Sequence, residues 1–321
     1  MKNIAVVMGG YSLEREISLK SGSIALQYLD ASKYNLFKII IDNNGWFLYH
    51  NNQEIAIDKN DFSANFNNSK ISFDGVFIAI HGKPGENGEL QNYLDKLEIP
   101  YNTSNEKAAQ LSFDKGKCNS FLRTKGLNCA NSIILTDNNN LEIDKIISSI
   151  GLPCFVKPNG NGSSFGISKV NSKNDLIPAI EKAFKHDQTI LIESFLDGIE
   201  LTCGIHNFDE NLYTFPITEI ISENEFFDYQ AKYEGKSKEI TPANITKELA
   251  KKVSDITKIA YKILDLNGIA RIDFIIVDNQ PFIIEANTVP GLSKESIIPQ
   301  QAECAGISLS QLFNQSIEKL F

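Results

Sequence analysis

The sequence is poor in cysteine and has no long apolar run. Its five cysteines are scattered over 321 residues without a Cys-x-x-Cys pair. An odd, dispersed set of thiols is typical of a reduced compartment and not of a disulfide-stabilised secreted protein. No segment approaches the roughly 18 consecutive apolar residues that a membrane-spanning helix needs. We therefore expect a cytoplasmic protein that binds no membrane and whose thiols hold no metal.

Positive charge is also scarce, because 31 lysines and arginines face 40 aspartates and glutamates, for a net charge of −9. A general nucleic-acid binder usually carries a basic face, so the composition argues against nucleic acid as a partner. Phosphate ligands remain compatible, because a few lysines and backbone amides are enough to bind them. The opening MKNIAVVMGG runs directly from a short apolar stretch into glycines, which predicts a first β-strand and not a signal peptide.

Short β-branched runs in the first hundred residues alternate with segments of helical spacing. The runs are Ile4–Met8, Leu36–Ile41 and Val76–Ile80, and the helical segments are 18–29 and 90–97. This alternation predicts an open parallel α/β domain over residues 1–100. Ligands bind at the carboxyl ends of such strands, where Gly9-Gly10 and His81-Gly82 stand.

Two further domains are predicted after Pro100. Residues 101–188 hold β-type runs and a glycine-rich loop, and residues 189–321 hold further strands and a long helix. The β-type runs are 132–135, 154–157, 190–192, 201–205 and 213–221, and the helix is 245–264. The segment 222–241 is polar, aromatic and long, which favours a lid over a simple connection. The fold class is thus predicted to be α/β, with α+β parts, in three domains.

Two β-type runs, 269–277 and 282–287, predict a hairpin near the carboxyl terminus. A short polar segment that contains Pro281 separates them. We expect an odd number of loop residues, such as a three-residue loop centred on Asn279. The length of this loop decides which side chains of the two strands face each other.

With such a loop, four polar side chains meet on one face of the hairpin. Side chains alternate along a strand, so Asp273 lies opposite Glu285 and Arg271 lies opposite Asn287. Two facing carboxylates repel each other and favour a cation between them. Few hard oxygen ligands, with room for phosphate oxygens, predict magnesium bound with a nucleotide. Arg271 beside them can stabilise developing negative charge.

A glycine-rich loop, 159–166, follows the β-type run that ends at Lys157. Glycines let backbone N–H groups approach phosphate oxygens, and the lysine adds a positive charge. The loop lacks the Gly-Lys-Ser/Thr sequence of a P-loop. Gly9-Gly10 likewise lacks the third glycine of a dinucleotide-binding fingerprint, and a Rossmann dehydrogenase is the alternative by class.

Three segments together resemble the D-alanine–D-alanine ligase family of the ATP-grasp superfamily. They are GGYSLEREISLKSG (9–22), HGKPGENGELQN (81–92) and the stretch 264–291, in the family's order. Asn92 and the NGNGSS phosphate loop depart from the family's usual residues. The resemblance implies an ATP-grasp fold and ATP-dependent ligation of two D-alanines through D-alanyl phosphate, for peptidoglycan precursor synthesis. It also implies a homodimer and two Mg²⁺ ions, with Mn²⁺ as a substitute.

The resemblance further implies roles for individual residues. Those matching the magnesium ligands are Asp273, Glu285 and Asn287, and those matching the oxyanion-stabilising pair are Arg271 and the Gly291 N–H. The residues matching ATP contacts are Lys115, Lys157, Ser163, Ser164, Glu193, Leu196, Glu200 and Lys232. Among them, Glu193 and Glu200 match the acids that bind adenine and ribose, and Leu196 is expected on a connecting strand. Those matching contacts of the first D-alanine are Glu14, Ser163 and Tyr233. Those matching contacts of the second are His81, Ser296 and Ile297.

Related activities differ in what they require of the sequence. A D-alanine–D-lactate ligase shares the fold, but the lid tyrosine is replaced in that class, so Tyr233 favours the dipeptide ligase. Another ATP-grasp carboxylate–amine ligase would keep Lys157 and the metal ligands without the two amino-terminal segments. A non-catalytic nucleotide-binding module would be expected to lose a metal ligand or Arg271, and none is lost.

Overall fold

Three β-sheets organise the chain in a computed structural model that describes residues 1–139, 141–160, 166–208, 211–222 and 237–321. The strands are β1 (Lys2–Gly9), β2 (Tyr34–Asp42), β3 (Gly45–His50), β4 (Gln53–Asp58), β5 (Ser63–Phe66), β6 (Ser69–Ile71), β7 (Gly75–Ile78), β8 (Ser132–Leu135), β9 (Cys154–Pro158), β10 (Ser168–Val170), β11 (Ile190–Ser194), β12 (Ile199–His206), β13 (Tyr213–Thr214), β14 (Thr218–Ser222), β15 (Ser237–Ile240), β16 (Ala270–Val277) and β17 (Gln280–Asn287). The helices are α1 (Arg15–Tyr28), α2 (Glu89–Lys96), α3 (Glu106–Phe113), α4 (Lys115–Thr124), α5 (Ile143–Ile150), α6 (Lys173–Phe184), α7 (Lys247–Ile263), α8 (Ile297–Cys304) and α9 (Leu309–Glu318).

The first sheet has the strand order β6-β5-β4-β3-β2-β1-β7. Strand β1 pairs in parallel with β2 and with β7, as the buried apolar runs predicted. Strands β2 to β6 pair antiparallel, so the sheet is mixed and not wholly parallel as expected. Two of these hairpins turn at Asn51-Asn52 and Asn67-Asn68, where all four asparagines have positive φ. Asparagine tolerates this conformation, which tight two-residue turns require.

The second sheet has the order β10-β9-β11-β8, with neighbouring strands antiparallel. Strand β11 pairs with β9 and β8 in this sheet, although the predicted boundary at residue 189 assigns it to the third domain. Helices α5 and α6 cover the apolar core of the sheet, which includes Val156, Leu176 and Ile192. Strand β9 therefore leads from a rigid two-layer unit directly into the glycine-rich loop.

The third sheet has the order β15-β14-β12-β16-β17, with β13 paired to β12. The run predicted at 213–221 is two strands, β13 and β14, and the end of the predicted loop 222–241 forms β15 against β14. Helices α3, α4 and α7 share one apolar core with this sheet, so residues from the predicted central domain pack on the third. The rest of the predicted lid lies outside the described residues.

The carboxyl-terminal helices join the third sheet to the first. Helices α8 and α9 pack in one core with β1 and α1, and the rings of Phe77 and Phe313 meet with centroids 5.6 Å apart. This packing brings the end of β17 and the start of α8 against the carboxyl ends of β1 and β7. The loops that follow these elements therefore meet at one place.

All five cysteines are free, four are buried, and Cys304 is exposed. Burial raises the pKa of Cys118 to about 12, which keeps that thiol protonated and unreactive at neutral pH. Across the described ranges, no helix has both the length and the apolar character to cross a bilayer.

Candidate active site

The strands β16 and β17 pair as predicted, but the loop between them has a different length from the one predicted. Asp273 lies opposite Glu285 and Arg271 lies opposite Asn287. The loop is not odd in length: it is a two-residue turn, 278–279, with positive φ at both positions. The pairing shifts by one residue between Asp273 and Phe274, so a bulge in β17 restores the register that the shorter loop would otherwise lose.

A cavity of about 370 Å³ lies beside this hairpin, between β17, the start of α1 and the start of α8. The predicted residues that line it are Glu14, His81, Lys115, Arg271, Glu285, Asn287, Gly291, Ser296 and Ile297. They come from five separate parts of the chain, and the fold brings them to one wall. Cavities of this size accommodate small ligands.

Asp273 is held by three neighbours. The Arg271 guanidinium donates from Nε to Oδ1 and from Nη2 to Oδ2 of Asp273, each at 2.8 Å. Asn287 Nδ2 donates to Oδ2 at 3.0 Å, and the hydroxyl of the buried Thr202 donates to Oδ1. A two-pronged guanidinium–carboxylate pair fixes both groups in one plane. The hydrogen bond from Asn287 leaves its amide oxygen for another ligand.

Glu285 faces Lys115, the first residue of α4, with Lys115 Nζ 3.2 Å from Glu285 Oε2. Burial lowers the pKa of Lys115, but the carboxylates of Glu285, Glu14 and Glu86 together outweigh this effect, and the net pKa is raised above its usual value. Lys115 therefore carries its positive charge at the cavity wall. Asn159 fixes the start of α4, because its Oδ1 accepts from the Gly116 N–H at 2.8 Å.

Lys157 is paired with Glu193 in the second sheet. Lys157 on β9 lies opposite Leu191 on β11, so Glu193 is its diagonal neighbour on the same face. The two buried side chains form an ion pair. The resemblance implied that both residues contact ATP, but it did not predict their ion pair. The pair orients Lys157 at the end of β9 that leads to the glycine-rich loop.

Two more of the predicted nucleotide contacts, Glu200 and Leu196, follow β11 in the chain. Glu200 is half-buried on β12. Leu196 is half-buried in the connection between β11 and β12, so the expectation that it lies on a strand is wrong. Strand β11 ends at Ser194, and the next N–H, that of Phe195, donates to the Pro153 carbonyl at 3.3 Å.

His81 is buried with both ring nitrogens engaged. Nδ1 lies 2.7 Å from the Val289 carbonyl and Nε2 lies 2.8 Å from Ser21 Oγ. Burial lowers the pKa of His81, so the ring is neutral at neutral pH. Because a carbonyl only accepts, the proton lies on Nδ1 and Nε2 accepts from Ser21. The structure thus gives His81 a supporting contact in the cavity wall.

Glu14 occupies the position before α1, and its backbone carbonyl accepts from the Ser18 N–H at 3.0 Å. The helix begins three residues earlier than predicted, and this places Glu14 at the cavity. Across the cavity, Ser296 precedes α8 and makes no side-chain capping bond to it. Ser296 Oγ instead lies 2.9 Å from Ser293 Oγ.

Four predicted residues, Ser163, Ser164, Lys232 and Tyr233, lie outside the described residues. Sequence reasoning in turn missed three that the structure brings to the site: Thr202, Asn159 and Glu86. Thr202 contacts Asp273 and lies in no motif, whereas Asn159 opens the glycine-rich loop but was given no role of its own. Glu86 stands inside the recognised segment 81–92 but was given no role.

The donor set on the hairpin fits magnesium. It offers two carboxylates and an amide oxygen, all hard ligands, on one face. Among the described residues, no group of three or more histidine, cysteine, aspartate or glutamate side chains could hold a metal ion. A site with few protein ligands suits an ion that takes its remaining oxygens from phosphate and water.

Gly291 lies against Ser296, which the resemblance assigns to the second D-alanine. We predict that Gly291→Ala lowers kcat/KM for this second substrate. A Cβ at this position would lie 2.7 Å from Ser296 Oγ, so the serine must move. Displacements of this size in a site cost up to ~10²-fold in rate. Steady-state kinetics should show a loss of about tenfold or more in kcat/KM for the second substrate, with the KM for ATP within twofold. A variant with unchanged second-substrate kinetics would contradict this packing.

Family profiles match most of the chain. The profile described as "D-ala D-ala ligase N-terminus" matches residues 3–104, and "D-ala D-ala ligase C-terminus" matches residues 121–318. A D-alanine–D-alanine ligase from Flavobacterium johnsoniae is 51% identical over 319 residues, which make up 99% of this chain and 99% of the relative.

Solved structures share the whole architecture. The VanG D-Ala:D-Ser ligase from Enterococcus faecalis superposes with a TM-score of 0.90 at 29% identity, covering 100% of this chain and 99% of that one. A D-alanine–D-alanine ligase from Bacillus anthracis complexed with ATP superposes with a TM-score of 0.78 at 30% identity, covering 99% and 97%. The fold and the site thus define an ATP-grasp ligase, which confirms the predicted fold class. The chain belongs to the D-alanine–D-alanine ligase family.

Proposed function

We propose that this protein joins two D-alanines into D-alanyl-D-alanine and converts ATP to ADP and phosphate. The observation that carries the proposal is the cavity of about 370 Å³ that is lined by a hairpin patch of Arg271, Glu285 and Asn287, together with Glu14 and Ser296. The patch supplies the groups for phosphate chemistry. Glu14 and Ser296 supply complementary contacts for an ammonium and a carboxylate. The relatives named for this activity support the same substrate.

The first step requires a D-alanine carboxylate aligned with the terminal phosphate of ATP. Glu14 binds the ammonium group of this D-alanine, and its position in the cavity lining supports this role. Lys115 and Lys157 hold negative phosphate oxygens by charge. A carboxylate oxygen attacks the terminal phosphorus, the bond to ADP breaks, and D-alanyl phosphate forms. Positioning and charge neutralisation carry most of such a transfer.

Magnesium, held by Asp273, Glu285 and Asn287, would neutralise phosphate charge during this transfer. Arg271 keeps Asp273 in place through its two hydrogen bonds. Lys115 likewise keeps Glu285 in place through their ion pair. We propose two ions, with manganese as a substitute, since the oxygen ligands accept either metal.

The second step forms the peptide bond. Ser296 Oγ and the N–H groups at the start of α8 receive the carboxylate of the second D-alanine, because a helix amino terminus favours an anion. Its neutral amine attacks the acyl carbon, giving a tetrahedral oxyanion that Arg271 and the Gly291 N–H stabilise. The carbon–oxygen bond to phosphate then breaks, the amine loses a proton, and phosphate leaves.

We further propose that Ser163 and Tyr233 complete the Glu14 site and that Lys232 and Ser164 contact phosphate when the lid closes. Glu193, Glu200 and Leu196 contact the adenosine part of ATP. The enzyme acts as a homodimer in the cytoplasm, on small molecules and without nucleic acid or membrane.

The deciding experiment is phosphate release by the purified protein with ATP, magnesium and single amino acids. D-Alanine should stimulate release and yield the dipeptide, whereas L-alanine should not. Mixtures of D-alanine with D-lactate or D-serine measure the alternatives, and a mixed product formed in preference to D-alanyl-D-alanine would change the assignment. No stimulation by D-alanine would overturn it.

A further inference from the structure

The backbone of Val289 is held on both sides by the segment that follows β7. The Val289 carbonyl accepts from His81 Nδ1 at 2.7 Å, and the Val289 N–H donates to Glu86 Oε1 at 3.2 Å. Glu86 Oε2 also accepts from the Gly82 N–H at 2.6 Å. We call these contacts of His81 and Glu86 the Val289 clamp. They tie a loop of the first sheet to a loop of the third across about 200 residues of sequence.

The clamp extends toward α8. Ser21 Oγ, which donates to the His81 ring, accepts in turn from the Leu292 N–H at 3.2 Å. The N–H of Val289 and the N–H of Leu292 are thus both bound by side chains of the first domain. Gly291 lies between these two anchored positions, and its packing against Ser296 leaves no space for a Cβ. The position of Gly291 therefore depends on the clamp.

The carboxyl group of Glu86 is energetically unfavourable at this cavity wall, because the wall desolvates it. Burial, together with the Glu14 carboxylate, raises the pKa of Glu86 to about 8, while two backbone N–H donors and Lys115 act in the opposite direction. An apolar residue would avoid the cost of desolvating a carboxyl group. Neither the phosphate nor the amino-acid contacts above require Glu86. Its hydrogen bonds with the N–H groups of Gly82 and Val289 instead hold the loop that contains Val289.

We infer that Glu86 is a positioning residue that fixes the Gly291 N–H and the Ser296 hydroxyl for the peptide-forming step. This inference rests on the proposed function, since it concerns the oxyanion and the second D-alanine. Removing one hydrogen bond of the clamp should misplace the loop without disturbing Lys157 and Glu193, the ATP contacts on β9 and β11.

Glu86→Gln keeps the size of the side chain but turns one acceptor into a donor that faces a backbone N–H. Glu89→Gln is the matched control, because Glu89 is exposed at the start of α2 in the same segment. We expect Glu86→Gln to lower kcat/KM for the second D-alanine by about tenfold to a hundredfold. The KM for ATP should stay within twofold, and the thermal unfolding midpoint should match that of Glu89→Gln.

Hydrogen exchange provides a readout that does not depend on the substrate. Glutamine has one acceptor oxygen, so it can accept from the Gly82 N–H or the Val289 N–H but not from both. Peptides covering residues 81–84 or 287–296 should therefore exchange about fivefold to tenfold faster in Glu86→Gln, because one net hydrogen bond is lost. Equal exchange in both variants overturns the clamp, whatever the activity. Faster exchange with unchanged kinetics for the second D-alanine overturns the positioning role of Glu86. The same role is overturned if Glu86→Gln weakens ATP binding and lowers stability as much as it lowers kcat/KM for the second D-alanine. Failure of the wild-type protein to use D-alanine would instead count against the proposed function.

Discussion

Replacing Glu285 by glutamine is expected to reduce turnover by about a thousandfold, corresponding to roughly 4 kcal/mol of lost transition-state stabilisation. The substitution removes one of two facing carboxylates and leaves Lys115 without its partner at 3.2 Å. Both effects act on the phosphate chemistry at the same place. The measurement is kcat for D-alanine-dependent phosphate release, repeated over a range of magnesium concentrations.

The magnesium dependence separates a metal ligand from a simple charge partner. If Glu285 binds the ion, the magnesium concentration for half-maximal activity should rise by tenfold or more in Glu285→Gln. The matched control is Glu303→Gln, since Glu303 is exposed on α8. The stability of Glu285→Gln should stay within about 1 kcal/mol of wild type, because relief of the repulsion between two facing carboxylates offsets the loss of the ion pair with Lys115. Normal turnover, or reduced turnover with an unaltered magnesium dependence, would refute the assignment.

Arg271→Lys should lower kcat by about a hundredfold while preserving the positive charge. Arginine presents two N–H groups to Asp273 at 2.8 Å, and a lysine ammonium cannot reproduce that planar fork. A lost oxyanion donor costs ~10²–10³ in rate. Single-turnover experiments should show a larger defect in dipeptide formation than in binding of ATP.

Arg123→Lys is the matched control for this substitution. Arg123 also donates two hydrogen bonds, to the Ala130 carbonyl and to Ser132 Oγ, but it lies outside the cavity. Its lysine variant should keep kcat within a few fold of wild type. If both arginine variants lose activity equally, or if Arg271→Lys turns over normally, Arg271 has no special part in the reaction.

The hairpin illustrates how far the sequence could predict the site. Alternation placed Arg271 with Asp273 on β16 and Glu285 with Asn287 on β17, and the predicted odd loop brought the two pairs together. The predicted loop length was wrong, because Asp278 and Asn279 form a two-residue turn and a bulge at Ile284 corrects the register. A bulge depends on packing by the rest of the sheet, and no local pattern indicates it.

Contacts between distant segments were the least predictable part. His81 and Val289 are 208 residues apart, and Glu86 and Val289 are 203 apart. The resemblance placed the two segments near one site but could not state which atoms meet. The asparagine turns of β3–β4 and β5–β6 were predictable in principle, since adjacent asparagines favour left-handed backbone. Their four antiparallel strands were missed because no motif drew attention to them.

The central claim is that D-alanyl phosphate links ATP to peptide-bond formation in this cavity. The most direct measurement uses D-alanine with ¹⁸O in both carboxylate oxygens. Attack of that carboxylate on ATP, followed by loss of phosphate, carries one labelled oxygen from the first D-alanine into each phosphate released. We expect one ¹⁸O in phosphate for each D-alanyl-D-alanine formed. Dipeptide that forms with unlabelled phosphate would contradict it.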